Sequence, residues 1–350
     1  MGTEISLSLC KDASLWDEIV ENSAHGKLFH RWEWLKIAGN HTGHHLIPLI
    51  GYQHAEPVVI CPIFLNRTRL YSVVTSPPPQ SAIFGLGPVF TNYQTSMQYK
   101  KEMVVTAFLE AFDRYITDEL NPDYQSIDLP IGFPDPRPFK WSGYTVRPYF
   151  DYVIDLNPGF DHLYAGLPKK RKGDIRRAKK RGMDARIGDR EDLGKVLDLM
   201  RIRYTEQNKP ITIQNEYVCE LYEAFSKNVK IIIVEKDEEI LSGVIDLFYK
   251  NEAFSWIGSP RPFRQISPSP NDYLLCTAIQ HACSCGVKKY IHLGNAGNAR
   301  LHKYYASKFT PELTVRWGAS KKTFKGRCME SAYLLGLKPL RTLLKKESVP

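Results

Sequence analysis

A dense run of basic residues lies near the middle of the chain, at residues 168–182. It reads PKKRKGDIRRAKKRG and contains nine Lys or Arg and one Asp, a net charge of +8 (nine minus one). The whole chain carries only +9, so the remainder is close to neutral. Charge concentrated in this way creates a local field that attracts polyanions. The alternative is a helix whose cationic face is merely solvated.

This basic run is predicted to form a helix. Pro168 suits the first turn, where its missing N–H costs nothing, and Gly182 suits a left-handed end. Ile175 and Ala178 are three residues apart and share a face, which predicts the side that docks on the protein. Most other side chains then point outward, and like charges one turn apart destabilise a helix slightly. Because the sequence keeps these like charges despite their repulsion, a polyanionic ligand that would neutralise them is favoured.

The sequence around the basic run resembles the start of the catalytic domain of Fem-type transferases. An alternating strand, DYVIDL at residues 151–156, precedes a turn and the segment LPKKRKGDIRRAKKRGM. Fem-type proteins are the tandem-GNAT branch that includes aminoacyl-tRNA-dependent peptidyltransferases and related N-acyltransferases. The resemblance implies that the basic helix binds substrate. The residues expected to do so are Lys169, Lys170, Arg171, Arg176, Arg177 and Lys180.

A second resemblance lies near the end of the same half. Residues 291–294 read IHLG and residues 300–312 read RLHKYYASKFTPE. They are similar to the L-G-G…F-K-x-K-F-G-x-E close of Fem-type catalytic domains. Lys308 and Phe309 match the second K-F, whereas Ala306 stands where the first Lys is expected. Lys303, one turn earlier, could substitute for that Lys.

The resemblance implies a catalytic group made of Lys308, Phe309, Lys303 and Tyr304. Aminolysis of an ester or thioester builds an oxyanion, and a fixed ammonium beside it raises the rate roughly 10²–10³-fold. An amine nucleophile needs only to lose its proton, so no His or Cys nucleophile is required. The alternative is that Lys308 is an ordinary surface lysine at the mouth of a strand.

Further substrate contacts follow from the same resemblance. Residues 193–207 have the apolar spacing of a helix, and Fem-type proteins often place a phosphate-binding Arg near its end. Residues 28–36, LFHRWEWLK, resemble the F-x-x-x-x-W element of the first domain. The candidates are Arg201, Arg203, Tyr204, Gln214, Trp34 and Lys36. The sequence does not decide among Arg201, Arg203 and Gln214.

The usual coenzyme A loop of GNAT enzymes is missing. That loop, Q/R-x-x-G-x-G/A, binds pyrophosphate through backbone N–H groups at a helix N-terminus. The corresponding residues 264–272 read RQISPSPND, and Pro268 and Pro270 remove two N–H donors. Residues 88–95 in the first half fit no better. Aminoacyl-tRNA is therefore the favoured donor, with acyl-CoA as the alternative, and no cofactor is expected.

Other catalytic motifs are absent from the sequence. It contains no P-loop, no GxGxxG, no HExxH and no GxSxG. His41, His44 and His45 lie together without a nearby carboxylate or Cys, so no metal site is predicted. The seven Cys residues are odd in number and scattered, which argues against a disulfide framework.

The elements that must position these residues recur twice along the chain. The first set is a hairpin at 46–65, a strand at 71–75, a helix at 103–120 and a strand at 126–129. The second set is 230–249, 253–257, 273–285 and 290–293. This repeat indicates two stacked copies of one α/β unit. We predict an α/β (α+β) fold with two tandem GNAT-like domains, mixed sheets and an inter-domain cleft.

The domain boundary is predicted in the Pro-rich linker at residues 132–149. Residues 1–145 are assigned to GNAT-like domain 1, and residues 146–314 to the catalytic domain 2 with the basic helix. The Fem-type resemblance implies that the C-terminal segment, residues 315–350, returns to domain 1. The basic and apolar stretch Ala332–Leu344 is alternatively an interfacial membrane helix.

We expect the protein to be a monomer. We also expect it to be cytoplasmic, because no apolar run is long enough to span a membrane and no signal peptide is evident. Peripheral contact with the inner membrane face is the alternative. The expected function is transfer of an aminoacyl group from aminoacyl-tRNA to an amine, and the expected partner is tRNA or another polyanionic substrate. The acceptor is a small or nucleotide-linked cell-envelope, glycan or peptide precursor. The alternatives are an acyl-CoA-dependent N-acetyltransferase acting on a sugar or polysaccharide precursor and a non-catalytic nucleic-acid-binding protein.

Overall fold

The computed structural model describes residues 4–208, 210–211, 213–258, 266–292 and 299–332, without the side chains at 300, 301, 329, 330 and 332. Residues 264 and 265 of the segment compared with the coenzyme A loop, and residues 293 and 294 of the IHLG motif, therefore fall outside the described residues. The same holds for all but the first residue of the stretch Ala332–Leu344. Within the part of the chain that is described, none of the helices has the length and apolar character needed to cross a membrane.

The first half of the chain alternates strands and helices. Its elements are β1 (Ser6–Leu9), α1 (Ala13–Asn22), α2 (Trp32–Thr42), β2 (His45–Gln53), β3 (Glu56–Arg67), β4 (Ser72–Ser76), β5 (Val89–Phe90), α3 (Gln98–Tyr115), β6 (Tyr124–Asp128), α4 (Arg137–Trp141) and β7 (Thr145–Asp155). Apart from the short β5, the order is β-α-α-β-β-β-α-β-α-β.

The second half repeats that order after two additional helices, α5 (Phe160–Gly166) and α6 (Lys169–Lys180). Its elements are β8 (Asp184–Gly188), α7 (Arg190–Glu206), α8 (Asn215–Ala224), β9 (Val229–Lys236), β10 (Glu239–Tyr249), β11 (Glu252–Gly258), α9 (Pro270–Ser284), β12 (Lys289–His292), α10 (Ala299–Ala306) and β13 (Glu312–Lys322), followed by α11 (Phe324–Ala332). The internal repeat predicted from the sequence is confirmed.

Helix α6 is the predicted basic helix. It begins after Pro168 and ends at Lys180, and Gly182 adopts the left-handed conformation with φ +79°. Ile175 and Ala178 are 3% and 0% exposed, so the predicted docking face is confirmed. The helix therefore needs only a narrow apolar stripe to stay attached, and its remaining faces are available to the solvent.

The strands of the described residues form one mixed sheet in the order β1-β2-β3-β4-β6-β13-β7-β12-β11-β10-β9-β8, with β5 paired to β3. The two halves exchange their last strands. β7 pairs with β12 of the second half, and β13 pairs with β6 of the first half. β7 and β13 also pair with each other across the centre. The mixed sheets expected for two separate domains are thus fused into one.

Helices cover both faces of this sheet. On one face, α1, α2, α7 and α8 enclose a core shared by both halves, which includes Trp34 and Phe254. On the other face, α3 and α4 cover a first-half core around Phe108. Helices α5, α6 and α9 cover a second-half core that includes Ile175 and Tyr290. Burying each large side chain contributes about 1.5–3 kcal/mol, so the shared core binds the halves firmly.

Candidate active site

Helix α6 presents most of its cations to the solvent. The exposed members of the predicted set are Lys169, Lys170, Arg176, Arg177 and Lys180. Arg177 is ion-paired with Asp174 on the same helix, one turn earlier. The helix therefore offers a cationic surface whose charges are largely uncompensated by its own carboxylates. Such a surface suits a ligand with several phosphates.

Arg171 differs from its neighbours because it turns toward the protein. Its guanidinium lies 3.0 Å from the carboxylate of Asp272, which stands in the first turn of α9 and is 6% exposed. The ammonium of Lys308 is ion-paired with the same carboxylate. One carboxylate thus joins the basic helix, α9 and the segment that leads into β13.

Lys308 is buried rather than exposed at a strand mouth. Its side chain is 3% exposed, and its ammonium lies 3.2 Å from the centre of the Tyr304 ring. Burial lowers the pKa of Lys308 to about 8, although the Asp272 carboxylate favours the charged form. The surface-lysine interpretation is wrong, because Asp272 and Tyr304 enclose the side chain. An ammonium fixed away from water acts strongly on charge that develops beside it.

A row of aromatic rings continues from Lys308 into the core. Tyr304 and Tyr305 have ring centres 5.3 Å apart, Tyr305 stacks on His292 at 4.0 Å, and His292 meets Tyr290 at 5.0 Å. The Tyr290 hydroxyl donates a 2.6 Å hydrogen bond to Asp246 Oδ2. The row therefore links the ammonium at one end to a fully buried carboxyl at the other.

Burial dominates the ionisation of this row. It raises the pKa of Asp246 to about 8 and lowers the pKa of His292 to about 3. It also raises the pKa of Tyr305 to about 12, with added effects from Asp246 and Tyr204. Among the described residues, neither the two ring nitrogens of His292 nor Oδ1 of Asp246 has a hydrogen-bond partner. Tyr204, near the end of α7, is thus a predicted site residue that influences this row.

The sheet explains how these side chains meet. Asp246, Ser255 and His292 lie opposite one another on β10, β11 and β12, so their side chains share one face. β11 and β12 run parallel, and this position is close to their carboxyl ends, where ligands bind in α/β sheets. Sequence reasoning missed Asp246, Tyr290, His292 and Asp272. Only the alternation of Tyr290 and His292 within a predicted strand signalled a common face.

Two sequence candidates are packing residues. Trp34 is 0% exposed, and its ring packs against Phe29, Phe225 and Trp256 in the shared core. Phe309 is 4% exposed and belongs to the second-half core. Both rings are enclosed by apolar neighbours and pack the core, while the substrate contact of Trp34 and the catalytic role of Phe309 stay predictions.

Two predicted lysines stand on the surface. Lys303 is exposed on α10. Lys36 is exposed on α2, where it is ion-paired with Glu33 at 3.0 Å. Neither Lys303 nor Lys36 makes a described contact with Asp272. Of Lys303 and Lys308, the two lysines proposed for catalysis, only Lys308 therefore lies buried beside Asp272 and Tyr304.

The candidates at the end of α7 and the start of α8 are dispersed. Arg201 donates a 2.8 Å hydrogen bond to Asn215, and Arg203 is ion-paired with Glu206 at 3.0 Å. Gln214 is exposed immediately before α8. These contacts hold the α7–α8 corner together and do not connect it to Lys308.

The N-terminus of α9 is occupied by the chain itself. The Ser269 side chain accepts a hydrogen bond from the Asn271 backbone, Pro270 has no N–H, and Asp272 adds a carboxylate. The Ser242 hydroxyl donates to Asn271 Oδ1 at 2.8 Å. Few backbone donors remain there for a pyrophosphate, and the carboxylate opposes one electrostatically.

Comparison with known proteins finds a family model that matches the middle of the chain. Residues 169–303 match the family model described as an acetyltransferase (GNAT) domain. No curated protein matches the chain's sequence at a significant level.

Several solved structures share the fold at low sequence identity. FemX superposes with a TM-score of 0.69 at 13% identity, covering 95% of this chain and 99% of FemX. The C-terminal domain of a putative lysylphosphatidylglycerol synthetase from Agrobacterium fabrum gives 0.55 at 12% identity, with 93% and 96% covered. A tandem GNAT protein from the clavulanic acid biosynthesis pathway gives 0.54 at 10% identity, with 91% and 98% covered. The chain therefore has the tandem GNAT fold and carries an acyltransferase domain of the GNAT type at residues 169–303.

Proposed function

We propose that this chain is a Fem-type aminoacyltransferase that moves an aminoacyl group from aminoacyl-tRNA to an amine of a cell-envelope, glycan or peptide precursor. The observation that carries the proposal is the pair of ionic contacts that Asp272 makes with Arg171 and Lys308. These contacts connect the exposed cationic helix to the buried ammonium. A polyanion held on α6 would therefore deliver its acyl end close to Lys308.

The chemistry requires little from the protein besides charge and position. The acceptor nitrogen attacks the ester carbonyl carbon, the C–N bond forms and the ester C–O bond breaks. The leaving hydroxyl takes the proton that the amine loses. The Lys308 ammonium stabilises the oxyanion between these steps, and Asp272 and Tyr304 hold that ammonium in place.

The donor is inferred from two local features that agree. The N-terminus of α9 is capped by Ser269, lacks the N–H of Pro270 and carries Asp272, which disfavours coenzyme A phosphates. Helix α6 supplies exposed cations for an RNA backbone instead. The similarity to FemX, and to a domain whose name specifies a lysyl group on phosphatidylglycerol, supports an aminoacyl donor.

An acyl-CoA-dependent N-acetyltransferase is the second candidate, because residues 169–303 match an acetyltransferase model. In that case Lys308 would stabilise the oxyanion of a thioester. The two candidates differ in their donor, so the donor is what an experiment must identify.

Binding of tRNA at two salt concentrations tests the proposal. If roughly four cations contact phosphates, log K should fall with log[salt] with a slope near −3. Changing Arg176, Arg177, Lys179 and Lys180 together to Gln should flatten that slope and weaken binding, and Ile175 and Ala178 should keep the helix docked. The matched control changes four exposed cations elsewhere to Gln, namely Lys11, Arg69, Lys100 and Lys227. The proposal fails if both variants lose the same affinity, or if the parent chain does not bind tRNA near physiological salt.

A further inference from the structure

A cavity of about 460 Å³ lies between the two halves, and the chemistry described above does not use it. Its walls come from the connection between α1 and α2, from the segment after β6, and from the ends of β7, β11, β12 and β13 that meet at one edge of the sheet. The volume is in the range of small-molecule sites. The cavity is therefore large enough to admit a compact organic ligand.

The cavity is separate from the group formed by Lys308, Asp272 and Tyr304. Val153 and Ile291 line it, whereas Tyr152 and His292, their neighbours in sequence, point to the opposite face of the sheet. His292 stacks on Tyr305 on that opposite face. A ligand in the cavity would thus be divided from Lys308 by the sheet itself.

The buried cations that line the cavity are already paired. Lys27 is 6% exposed and lies 2.6 Å from Glu252. Arg316 is 4% exposed and lies 3.0 Å from Asp151. Because both cations are held by carboxylates of the protein, they have little capacity left for an anionic ligand.

The carboxylates that line the cavity outnumber its cations by one. Four carboxylates (Asp151, Asp155, Glu252, Glu312) and three cations (Lys27, Lys289, Arg316) line it, a net charge of −1 (three minus four). Lys289 lies opposite Asp155 in the β7–β12 pair, so the two are cross-strand neighbours of opposite charge. The exposed carboxylate of Glu312, at the start of β13, is left without an ion pair to any described residue.

His25 adds a second acceptor. Its side chain is 4% exposed and lines the cavity, and Nδ1 makes no hydrogen bond to a described residue. Burial lowers the pKa of His25 to about 4, so the ring is neutral at pH 7. A neutral imidazole carries one proton and one lone pair, so with the proton on Nε2 the unpartnered Nδ1 is an acceptor. A buried acceptor without a partner costs about 1–3 kcal/mol, which a ligand donor would recover.

We propose that this cavity binds a small organic cation, with an ammonium group placed between Glu312 and the Nδ1 atom of His25. An ammonium supplies three donors and a positive charge, which match the two free acceptors and the excess carboxylate. A carboxylate or phosphate ligand would find every buried cation engaged. The site is independent of the donor proposed above, and its ligand does not have to take part in acyl transfer.

Calorimetry on the full chain tests the proposal with cadaverine as the probe and glutarate as a control of the same carbon number and opposite charge. Cadaverine should bind with one-to-one stoichiometry, and glutarate should not. Glu312→Gln should weaken cadaverine binding at least tenfold, because a hydrogen bond to a charged group is lost. His25→Phe, which keeps an aromatic ring beside Tyr93 and Phe133, should also weaken it.

The matched control is Glu110→Gln, which removes one exposed carboxylate from α3. It should leave cadaverine affinity within twofold of the parent. Equal losses in the Glu312 and Glu110 variants would show attraction to general surface charge and overturn the proposal. Binding of glutarate, or no cadaverine binding at millimolar concentration, would overturn it as well. Neither variant touches the residues assigned to acyl transfer, so failure here leaves the proposed function intact.

Discussion

At the scale of single residues, Lys308 is a buried charge beside Asp272 and Tyr304. A lysine that is 3% exposed is stable only because Asp272 and the face of Tyr304 compensate its charge. Removing either Lys308 or Asp272 alone leaves the other charge buried and lowers the free energy of unfolding by about 3–5 kcal/mol. Removing both charges can leave the free energy of unfolding nearly unchanged. Structural and catalytic roles of Lys308 can therefore be separated by comparing single and double variants.

Lys308→Met should lower both the unfolding temperature and the rate of the proposed aminoacyl transfer, the latter roughly 10²–10³-fold. The double variant Lys308→Met with Asp272→Leu should recover most of the stability and none of the rate, because no ammonium is restored. Lys303→Met, on the surface of α10, is the control and should keep the parental rate. Recovery of the rate in the double variant would exclude an oxyanion role for Lys308.

Asp246 gives a pH prediction that needs no substrate. Burial raises its pKa to about 8 from its ordinary value of 3.8, so between these limits the folded state binds more protons than the unfolded state. The contribution of Asp246 to stability is therefore present at low pH and is lost as pH rises toward 8. Asp246→Asn should flatten the dependence of unfolding free energy on pH between about 4 and 8. Urea titrations at several pH values measure this, and an unchanged slope in the variant would refute it.

At the scale of elements, the neighbouring helices α6 and α9 differ in what they offer to an anion. Helix α6 offers cations on its outer faces, while the N-terminus of α9 is filled by Ser269, Pro270 and Asp272. The free N–H groups that usually make a helix N-terminus attractive to phosphate are therefore reduced in α9. The groups available to an anion are therefore the side chains of α6 rather than the backbone donors of α9, and this arrangement supports the proposal of a long polyanion over one pyrophosphate.

Acetyl-CoA should therefore bind the full chain with an affinity weaker than micromolar. Calorimetry at low salt gives the most favourable conditions for detecting it, because weak electrostatic binding is then least screened. Asp272→Asn should improve the affinity if the carboxylate is the main obstacle, and Pro270→Ala should improve it if the missing N–H is. Micromolar binding by the parent chain would contradict the prediction and favour the acyl-CoA-dependent candidate.

At the scale of the whole molecule, the exchange of β7 and β13 makes the two halves mutually dependent. β13 pairs with β6 on one side and β7 on the other, so loss of this strand would break the sheet in both halves. The core beneath α1, α2, α7 and α8 also draws side chains from both halves. Unfolding one half alone would expose part of that shared core.

The chain should accordingly unfold in one cooperative transition. Gly318 lies in β13, and a Cβ there would stand 2.7 Å from Cε2 of Tyr149 on β7, so Gly318→Ala should destabilise the chain by about 1–3 kcal/mol. The transitions seen by tryptophan fluorescence and by circular dichroism should shift together. Gly194→Ala in α7, where nothing lies near the added methyl, is the control and should stabilise slightly. Two separated transitions would show that the halves fold independently.

The sequence alone predicted what depends on short-range pattern. The spacing of Ile175 and Ala178 between charged residues defined the buried face of α6, because helical periodicity is a property of neighbouring residues. The recurrence of hairpin, strand, helix and strand likewise revealed the two copies. The resemblance around residues 300–312 also directed attention to Lys308, although it gave no sign that this lysine is enclosed.

The tertiary structure decided everything that depends on which distant segments meet. The strand exchange, the burial of Trp34, and the convergence of Arg171, Lys308 and Asp272 join residues far apart in sequence. The cavity beside His25 is likewise built from segments of both halves. Local periodicity carries no information about such pairings, because they are selected by the close packing of the whole sheet and its helices.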